Sequence, residues 1–459
     1  MVNFYKPGKT KSAISKRENG KVKARVSANA IPKQASLTID SLDWMGNGVV
    51  RGEIMYFVEG ALPGETCDVK VVSHKKRVAS ATATTLNSTS EHRVVPFCPL
   101  AATCGGCQLQ HIEAKAALTL RDEALKTMLM RQLHVSDDVW VAPLSGSTPA
   151  YRRKARLAID ARNGDNVKLG FREQAGKNII NAPSCPVLVP ALNALLTPLQ
   201  SLFSGYECAR AIGHVTLIAG DNVAQVSVKH TRPLTPEFVS ALDDFGNAHG
   251  INVCLENKQG RLSYVHRIAE LKVQTLGGLT LSPAPNDFIQ VNDSVNQQMI
   301  TQAIAWLAPQ KGERIADWFS GLGNFSLPIA KAGAQVQAVE GVPEMVQRAE
   351  QNAHKQGIES VQWLHLDLAN EKDVRGALAK GFDKVLIDPS REGALTVCHA
   401  LVEAKPQSIV YVSCNPSTFI RDARVLLEQH YVMEKAGAVE MFPFTQHMEM
   451  MALFTRKKQ

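Results

Sequence analysis

The sequence predicts a chain of several domains: a small β-barrel, a central α+β domain and a C-terminal α/β domain with a doubly wound sheet. At 459 residues the chain is longer than one hydrophobic core usually organises. Short strand patterns between glycine turns fill residues 34–93, whereas strands and helices alternate from residue 286 onward. We therefore place the domains at 34–93, 94–285 and 286–459, after an N-terminal arm at 1–33.

The positive charge is concentrated in that arm. Residues 1–33 hold nine lysines and arginines and a single acid, Glu18, whereas the rest of the chain is neutral overall and the whole carries +8. A basic segment on a neutral body indicates a disordered arm that contacts phosphates of a nucleic acid. A tail that only keeps the protein in solution is the alternative.

Composition excludes several classes of protein. No run of roughly 18 uncharged apolar residues is present, so no membrane span and no membrane partner are predicted. The N-terminus lacks the apolar segment of a secretory signal, which predicts a cytoplasmic protein. Nine cysteines, an odd number, argue against a framework of disulfides in such a protein.

Residues 34–93 predict a five-stranded OB-like barrel. Its strand patterns are separated by glycine turns and include Ser36–Leu42, Glu53–Val58, Cys67–Val72 and Val78–Thr85. The turn His74–Arg77 would add a basic rim. The stretch GNGVVRGEIMYFVEGALPGE resembles the TRAM domain, an RNA-binding module, although any small barrel with a charged loop would fit the strand pattern.

Four cysteines form the clearest metal-binding pattern. Cys98, Cys104 and Cys107 follow a C-x5-C-x2-C spacing, and Cys185 lies far downstream between prolines. Thiolates select zinc or an iron–sulfur cluster. A zinc ribbon usually shows two close pairs, so three close cysteines and a distant one favour the cluster but leave both open. Unrelated free cysteines are improbable at this composition.

Acidic residues follow successive strands of the C-terminal domain. The strand Arg314–Trp318 leads into a glycine turn, FSGLGNF, and the next strands end at Glu340, Asp367 and Asp388. In a Rossmann-like sheet such acids are placed to bind ribose and adenine. A dinucleotide-binding domain would require a third glycine after the turn. A helix cap explains any one acid but not the series.

Two further residues suit chemistry at the same sheet edge. Cys414 follows the strand Ser408–Val412, where the start of a helix would lower the pKa of the thiol and favour the nucleophilic thiolate. Glu449 begins the last strand among methionines and phenylalanines, which would raise the pKa of its carboxyl and suit it to proton transfer. The alternatives are a core cysteine and an ordinary exposed glutamate.

These motifs together resemble the bacterial RNA uracil-5-methyltransferase family. The resemblance covers residues 34–459 and rests on the four cysteines and, in order, on DWFSGLGNFSLPIA, AVEGVPEMVQRAEQNA, LIDPSREGA, VSCNPSTFIRD and FPFTQHMEMMALF. A TRAM domain with four cysteines is typical of the branch whose type member methylates 23S rRNA at uridine 1939. The tRNA branch lacks both features, and a second ribosomal branch lacks the TRAM domain.

The resemblance implies a monomer that transfers a methyl group from S-adenosylmethionine to C5 of a uridine in 23S rRNA. It implies Cys414 as the nucleophile that attacks C6, Glu449 as the base, and the four cysteines as ligands of a structural [4Fe–4S] cluster. The implied cofactor contacts are Gln290, Phe319, Asn324, Glu340, Asp367 and Asp388. The barrel, the arm and Tyr151–Arg156 would hold RNA. Ser320, Ser390 and Asp367 depart from the commonest family residues, which affects only fine cofactor geometry.

Three alternatives remain open at this point. The same chemistry could act on tRNA or on another rRNA uridine. A non-catalytic iron–sulfur protein would bind RNA without regard to S-adenosylmethionine. A TRAM-bearing radical methylthiotransferase would need a C-x3-C-x2-C motif, whereas the first spacing here is x5.

Overall fold

A computed structural model describes residues 33–162 and 167–457 of the chain. The predicted basic arm therefore lies outside the described residues, apart from Lys33. None of the described helices combines the length and the apolar character needed to cross a membrane.

Residues 34–86 form one six-stranded sheet in the order β1-β5-β6-β4-β3-β2. The predicted strand Ser36–Leu42 divides at Ile39 and Asp40 into β1 and β2, which raises the number of strands above the predicted five. Alternate residues such as Tyr56, Val58 and Val69 fill its core. The strands are β1 Gln34–Thr38, β2 Ser41–Leu42, β3 Gly48–Val50, β4 Met55–Glu59, β5 Thr66–Lys75 and β6 Val78–Leu86.

The second sheet has seven strands in the order β13-β12-β11-β10-β7-β8-β9, and only β11 and β12 pair in parallel. Its core includes Leu157, Leu199 and Phe238. The strands are β7 Lys154–Asp160, β8 Lys168–Arg172, β9 Ile179–Asn181, β10 Ile212–Ala219, β11 Ala224–His230, β12 Asn252–Glu256 and β13 Leu262–His266. The helices of this region are α1 Ala114–Leu133, α2 Pro190–Asn193, α3 Leu196–Ser204 and α4 Pro236–His249.

The third sheet also has seven strands, ordered β18-β17-β16-β19-β20-β22-β21. A two-stranded hairpin, β14 Val273–Gln274 and β15 Thr280–Leu281, precedes it. Its strands are β16 Arg314–Trp318, β17 Gln335–Glu340, β18 Val361–His365, β19 Lys384–Ile387, β20 Ser408–Ser413, β21 Tyr431–Val439 and β22 Glu449–Arg456. Its helices are α5 Asp293–Leu307, α6 Ser326–Lys331, α7 Pro343–Lys355, α8 Glu371–Leu378, α9 Leu395–Ala404 and α10 Pro416–Leu427.

The third sheet is doubly wound, as predicted for the C-terminal domain. β16 to β20 pair in parallel, and β22 enters antiparallel between β20 and β21. Parallel strands covered on both faces read as unbroken apolar runs, and every residue of β19 and β20 is buried. The strand order reverses between β16 and β19, so a crevice opens at their carboxyl ends.

Helix α1 packs onto this third sheet although it lies far upstream in the chain. Leu125, Leu129 and Met130 share one hydrophobic cluster with Trp318 of β16. The predicted limits of the domains, including the one at residue 286, stay a prediction.

Candidate active site and cysteine site

The glycine turn after β16 takes a backbone shape that its residues make possible. Phe319, Gly321 and Gly323 all have positive φ angles, of 64°, 57° and 93°. A Cβ atom at Gly323 would lie 2.7 Å from Cη2 of Trp363, so this position requires glycine. The carboxylate of Glu340 accepts a hydrogen bond of 3.0 Å from the amide of Gly321 and thereby fixes the turn.

Four of the six predicted cofactor residues meet at this turn. Gln290, Phe319, Asn324 and Asp388 line one pocket, whose enclosed part is about 50 Å³. Within the described part of the chain, Gln290 Oε1 and Ser320 Oγ are buried there without a hydrogen-bond partner. Buried polar atoms are nearly always satisfied, so the pocket suits a polar ligand that supplies the missing partners.

Glu340 and Asp367 stand outside the enclosed pocket, at the open ends of β17 and β18. Asp367 is exposed, and its Oδ1 accepts a hydrogen bond of 3.0 Å from Ala369, as in a capped turn. β18 ends at His365, so Asp367 lies two residues beyond the strand. A ligand the size of a nucleoside would extend from the enclosed pocket along these strand ends.

Cys414 lies between β20 and α10, and its neighbours hold it against the loop after β19. Asn415 caps α10, and its Nδ2 donates a hydrogen bond of 2.9 Å to the carbonyl of Arg391. The half-buried Cys414 Sγ lies 4.0 Å from the carbonyl oxygen of Pro389. This loop also carries Asp388, so the thiol stands beside the cofactor pocket.

Three carboxyl groups share this buried region. Burial raises the pKa of Glu449 to about 7, although the cation of Arg391 opposes the shift. Burial also raises the pKa of Asp317 to about 7. The pKa of Asp388 lies well above its ordinary value through burial and through the charges of Glu449 and Asp317. Asp388 is partly exposed and lines the cofactor pocket. The predicted rise for Glu449 agrees with this geometry.

The prediction of a lowered pKa for Cys414 is wrong. Burial, followed by the charges of Glu449 and Asp388, raises the pKa of its thiol to about 12, and Arg391 offsets this only in part. Two nearby carboxyls and loss of solvent thus outweigh the start of α10. In the free protein at neutral pH, Cys414 is therefore a protonated thiol.

Arginines that the sequence analysis did not single out hold the segment before Glu449. Arg391 Nη2 lies 3.1 Å from Nε2 of His447. Arg121, fully buried on α1, donates hydrogen bonds of 3.1 Å to the carbonyl of His447 and 2.9 Å to that of Trp44. A role for Arg391 could have been predicted from its position in the motif Asp-Pro-Ser-Arg, which begins at Asp388. The sequence around Arg121 contains no such motif.

The four predicted metal-ligating cysteines lie together around a second cavity. The cavity measures about 240 Å³ and is also lined by Tyr151, Arg152 and Arg156, besides Cys98, Cys104, Cys107 and Cys185. Over the described ranges, no three such side chains converge closely enough to hold a single metal ion. All four cysteines nevertheless line this one cavity.

The prediction that Tyr151–Arg156 holds RNA is wrong for its buried members. Tyr151 is buried and donates a hydrogen bond of 3.1 Å to the carbonyl of Pro443. Arg153 is also buried and forms ion pairs with Asp221 and, at 3.0 Å, with Asp293. The polar groups of these side chains have their hydrogen-bond and ion-pair partners inside the protein. They thereby join the second sheet to the elements around the active site.

A doubly wound sheet with a polar pocket at the reversal of its strand order, beside a cysteine and buried carboxyls, is an arrangement suited to a cofactor-dependent group-transfer enzyme. The family model described as tRNA (Uracil-5-)-methyltransferase matches residues 114–457. The chain belongs to this family and is an S-adenosylmethionine-dependent RNA uracil-5-methyltransferase.

Individual relatives are similar in sequence to this chain over nearly its full length. The protein named 23S rRNA (uracil(1939)-C(5))-methyltransferase RlmD of Alteromonas naphthalenivorans is 56% identical and covers 100% of both chains. Its namesake of Alteromonas mediterranea is 62% identical over 92% of this chain and 88% of its own. The crystal structure of Pyrococcus abyssi tRNA (uracil-54, C5)-methyltransferase with S-adenosyl-L-homocysteine has the same fold, with a TM-score of 0.70, 24% identity and coverage of 92% of this chain and 100% of its own.

Proposed function

We propose that this chain methylates C5 of a uridine in 23S rRNA, at the position given in the names of its relatives, and that it acts as a cytoplasmic monomer. The proposed chemistry is supported above all by the proximity of Cys414, Asp388 and Glu449 beside the cofactor pocket. The choice of RNA rests on the relatives of 56% and 62% identity. The four cysteines around one cavity agree with the same branch of the family.

Cys414 makes the pyrimidine nucleophilic. C5 of uracil is too weak a nucleophile to accept a methyl group unaided. Sγ gives its proton to solvent and adds to C6, and the electron pair of the C5–C6 double bond moves toward O4 to form an enolate. The target base must leave its stack for Sγ to reach C6.

Glu449 completes the reaction. When bound, S-adenosylmethionine would supply an electrophilic methyl group to C5, and S-adenosylhomocysteine would be the product that leaves. The Glu449 carboxylate then takes the proton from C5, the C–H electron pair restores the C5–C6 double bond, and Cys414 leaves as the thiolate. A base with a pKa of about 7 is suited to accept this proton at neutral pH.

Different residues of the pocket would bind different parts of S-adenosylmethionine. Gln290, whose Oε1 is an unused acceptor, and Asp388, which lines the same pocket, would hold the positively charged methionine part of the ligand. Phe319 and Asn324 shape the wall of the pocket. Glu340 and Asp367, at the open strand ends, would meet the ribose hydroxyls and the adenine amino group.

We assign a [4Fe–4S] cluster to Cys98, Cys104, Cys107 and Cys185, because all four thiols line one cavity. Burial raises the pKa of three of them, so they need a positive metal centre to become thiolates. Arg152 and Arg156 line the same cavity and would balance the negative charge of a thiolate-ligated cluster.

Cys104→Ser is expected to lose iron, from about four atoms per chain to less than one, and to lower the melting temperature. Iron assay and calorimetry measure both. Cys208→Ser, at a half-buried cysteine outside this cavity, is the control and keeps its iron. Full iron content in Cys104→Ser would contradict the four-ligand assignment.

Deletion of residues 1–32 is expected to weaken RNA binding and to reduce its dependence on salt. The log–log slope becomes shallower by roughly 0.7–0.9 for each phosphate that the shortened protein no longer neutralises. Binding titrations at several salt concentrations measure the slope, and an arm of shuffled sequence but equal charge should restore it. A slope that deletion leaves unchanged would remove the arm from RNA binding.

The proposed reaction is tested with labelled S-adenosylmethionine and unmodified 23S rRNA, 16S rRNA and tRNA. Label recovered as 5-methyluridine from 23S rRNA supports the proposal. Label on tRNA alone would keep the chemistry and overturn the choice of RNA. No label on any RNA, from protein with full iron content, would favour a non-catalytic RNA-binding protein.

A further inference from the structure

The segment 442–449, which ends at the proposed base, is hydrogen-bonded to the cysteine loop, residues 98–109. The carbonyl oxygen of Phe444 accepts two hydrogen bonds, of 3.0 Å from the amide of Gln108 and 2.9 Å from that of Leu109. These two amides directly follow Cys107 in the chain. The cysteine loop and the segment 442–449 are therefore one hydrogen-bonded unit.

Side chains reinforce this link. The rings of Phe444 and Phe97 meet edge to face with centroids 4.9 Å apart, and Phe97 directly precedes Cys98. Phe444 and Phe442 pack with Cys107 and Cys185 around one small hydrophobic cluster. The residue before Cys98 thus touches the segment, and Cys107 and Cys185 pack around the same small cluster as the segment does.

The wall of the cysteine cavity makes two further contacts with the segment. Tyr151, which lines the cavity, donates a hydrogen bond of 3.1 Å to the carbonyl of Pro443. The guanidinium of Arg152, also in the wall, lies 5.9 Å from the ring centroid of Phe442. The residues around the cavity therefore contact 442, 443 and 444 in succession.

Phe444 has a backbone conformation that needs such support. Its φ of 66° lies in the left-handed region, which a residue with a bulky side chain rarely adopts. Strain of this kind persists when surrounding contacts fix the backbone, and it is concentrated at functional sites. Here the fixing contacts are the two amides after Cys107 and the ring of Phe97.

The other end of the segment is anchored independently. Glu449 pairs with Val439 in the register of β22 and β21, and the carbonyl of His447 accepts a hydrogen bond from Arg121. Release of Phe444 would leave the strand in place. Because Glu449 is the first residue of β22, the turn before it sets the direction from which the chain enters the strand. A small shift of the carboxylate, rather than unfolding, is therefore the expected consequence.

We propose that Phe444 is a positioning residue for Glu449, and that it ties the place of the proton-accepting carboxylate to the integrity of the four-cysteine loop. The inference rests on the proposed function, because it assigns Glu449 the C5 proton. It gives the cysteine site a role in catalysis that requires no electron transfer: the loop, folded around its metal group, holds the base at working distance.

Phe444→Ala in the iron-replete full chain tests this role. Without the ring, the turn is no longer held against Phe97, and a misplaced base is expected to slow turnover by about 100-fold, because a shift of about 1 Å in a reacting group has that effect. Iron content and affinities for S-adenosylmethionine and RNA should stay within twofold of wild type. Because only proton removal is impaired, the methylated protein–RNA adduct should accumulate under denaturing electrophoresis. Phe444→Tyr, which keeps the ring, should restore turnover.

Phe382→Ala is the matched control. Phe382, like Phe444, is a half-buried phenylalanine, but it lies at the opposite edge of the sheet, near the start of β19. It should lose some stability and accumulate no adduct. If the adduct accumulates in both variants, the effect of Phe444→Ala is a general loss of stability, and the inference is overturned.

Hydrogen exchange gives a readout independent of activity. In iron-depleted Cys104→Ser, amides of residues 444–449 should exchange faster than in wild type, whereas those of β20 stay protected. Equal exchange in the two proteins, or normal turnover in Phe444→Ala, would overturn the inference. Absence of methyl transfer in wild type would instead overturn the proposed function, so the two failures are distinguishable.

Discussion

Cys414→Ala is expected to lower methyl transfer on the order of 10⁶-fold, the loss seen when the nucleophile of a covalent mechanism is removed. The thiol beside the loop that carries Asp388 is then absent, and the alanine side chain cannot add to C6. Binding of S-adenosylmethionine should be nearly unchanged, because Gln290, Phe319 and Asn324 remain. The measurement is the formation of 5-methyluridine with excess enzyme, so that weak residual activity is detected.

Cys208→Ala is the control for this prediction, since Cys208 is also half-buried but packs in the second sheet. It should methylate RNA at the wild-type rate. Turnover in Cys414→Ala within tenfold of wild type would exclude Cys414 as the nucleophile and with it the covalent mechanism.

Glu449→Gln is expected to stop the reaction after methyl transfer. The amide is the same size as the carboxyl group but cannot accept the C5 proton, so the adduct between Cys414 and C6 should persist and turnover should fall by about 10²–10⁴-fold, the usual contribution of a positioned base. Denaturing electrophoresis with labelled RNA measures the adduct. Wild-type turnover without an adduct would place the base elsewhere.

The pH dependence follows from the same two groups. Because burial raises the pKa of Glu449 to about 7, the carboxylate that accepts the proton is depleted below that pH. The Cys414 thiol, with its pKa raised to about 12, gains thiolate as the pH rises. Both effects have the same sign, so single-turnover rates should increase from pH 6 to pH 9. A rate that falls with pH over this range would contradict both assignments.

Much of the site could be predicted because its chemistry lies at strand ends. Carboxyl ends of parallel strands meet at one edge of the sheet, so Glu340, Asp388 and Cys414 could be placed together from local patterns alone. The glycine turn at residues 321–323 was equally readable, because glycines directly after a buried strand indicate a turn that brings the backbone close to a ligand. Such features depend on a few neighbouring residues.

Other features depend on residues far apart in the chain. Arg121 lies 326 residues from its acceptor, His447, and reads as an ordinary helix-surface arginine. The thiol of Cys414 was expected to be acidic because its helix is visible in sequence, whereas the opposing charges of Asp388 and Glu449 come from distant strands. Arg153 reads as an exposed charge until the structure shows its two ion pairs.

The most direct test of covalent catalysis is mass spectrometry of the adduct formed by Glu449→Gln with 23S rRNA and S-adenosylmethionine. After digestion, the peptide that contains Cys414 should carry a nucleotide with one added methyl group. A nucleotide attached to a different cysteine, or 5-methyluridine formed with no adduct on any peptide, would contradict the account.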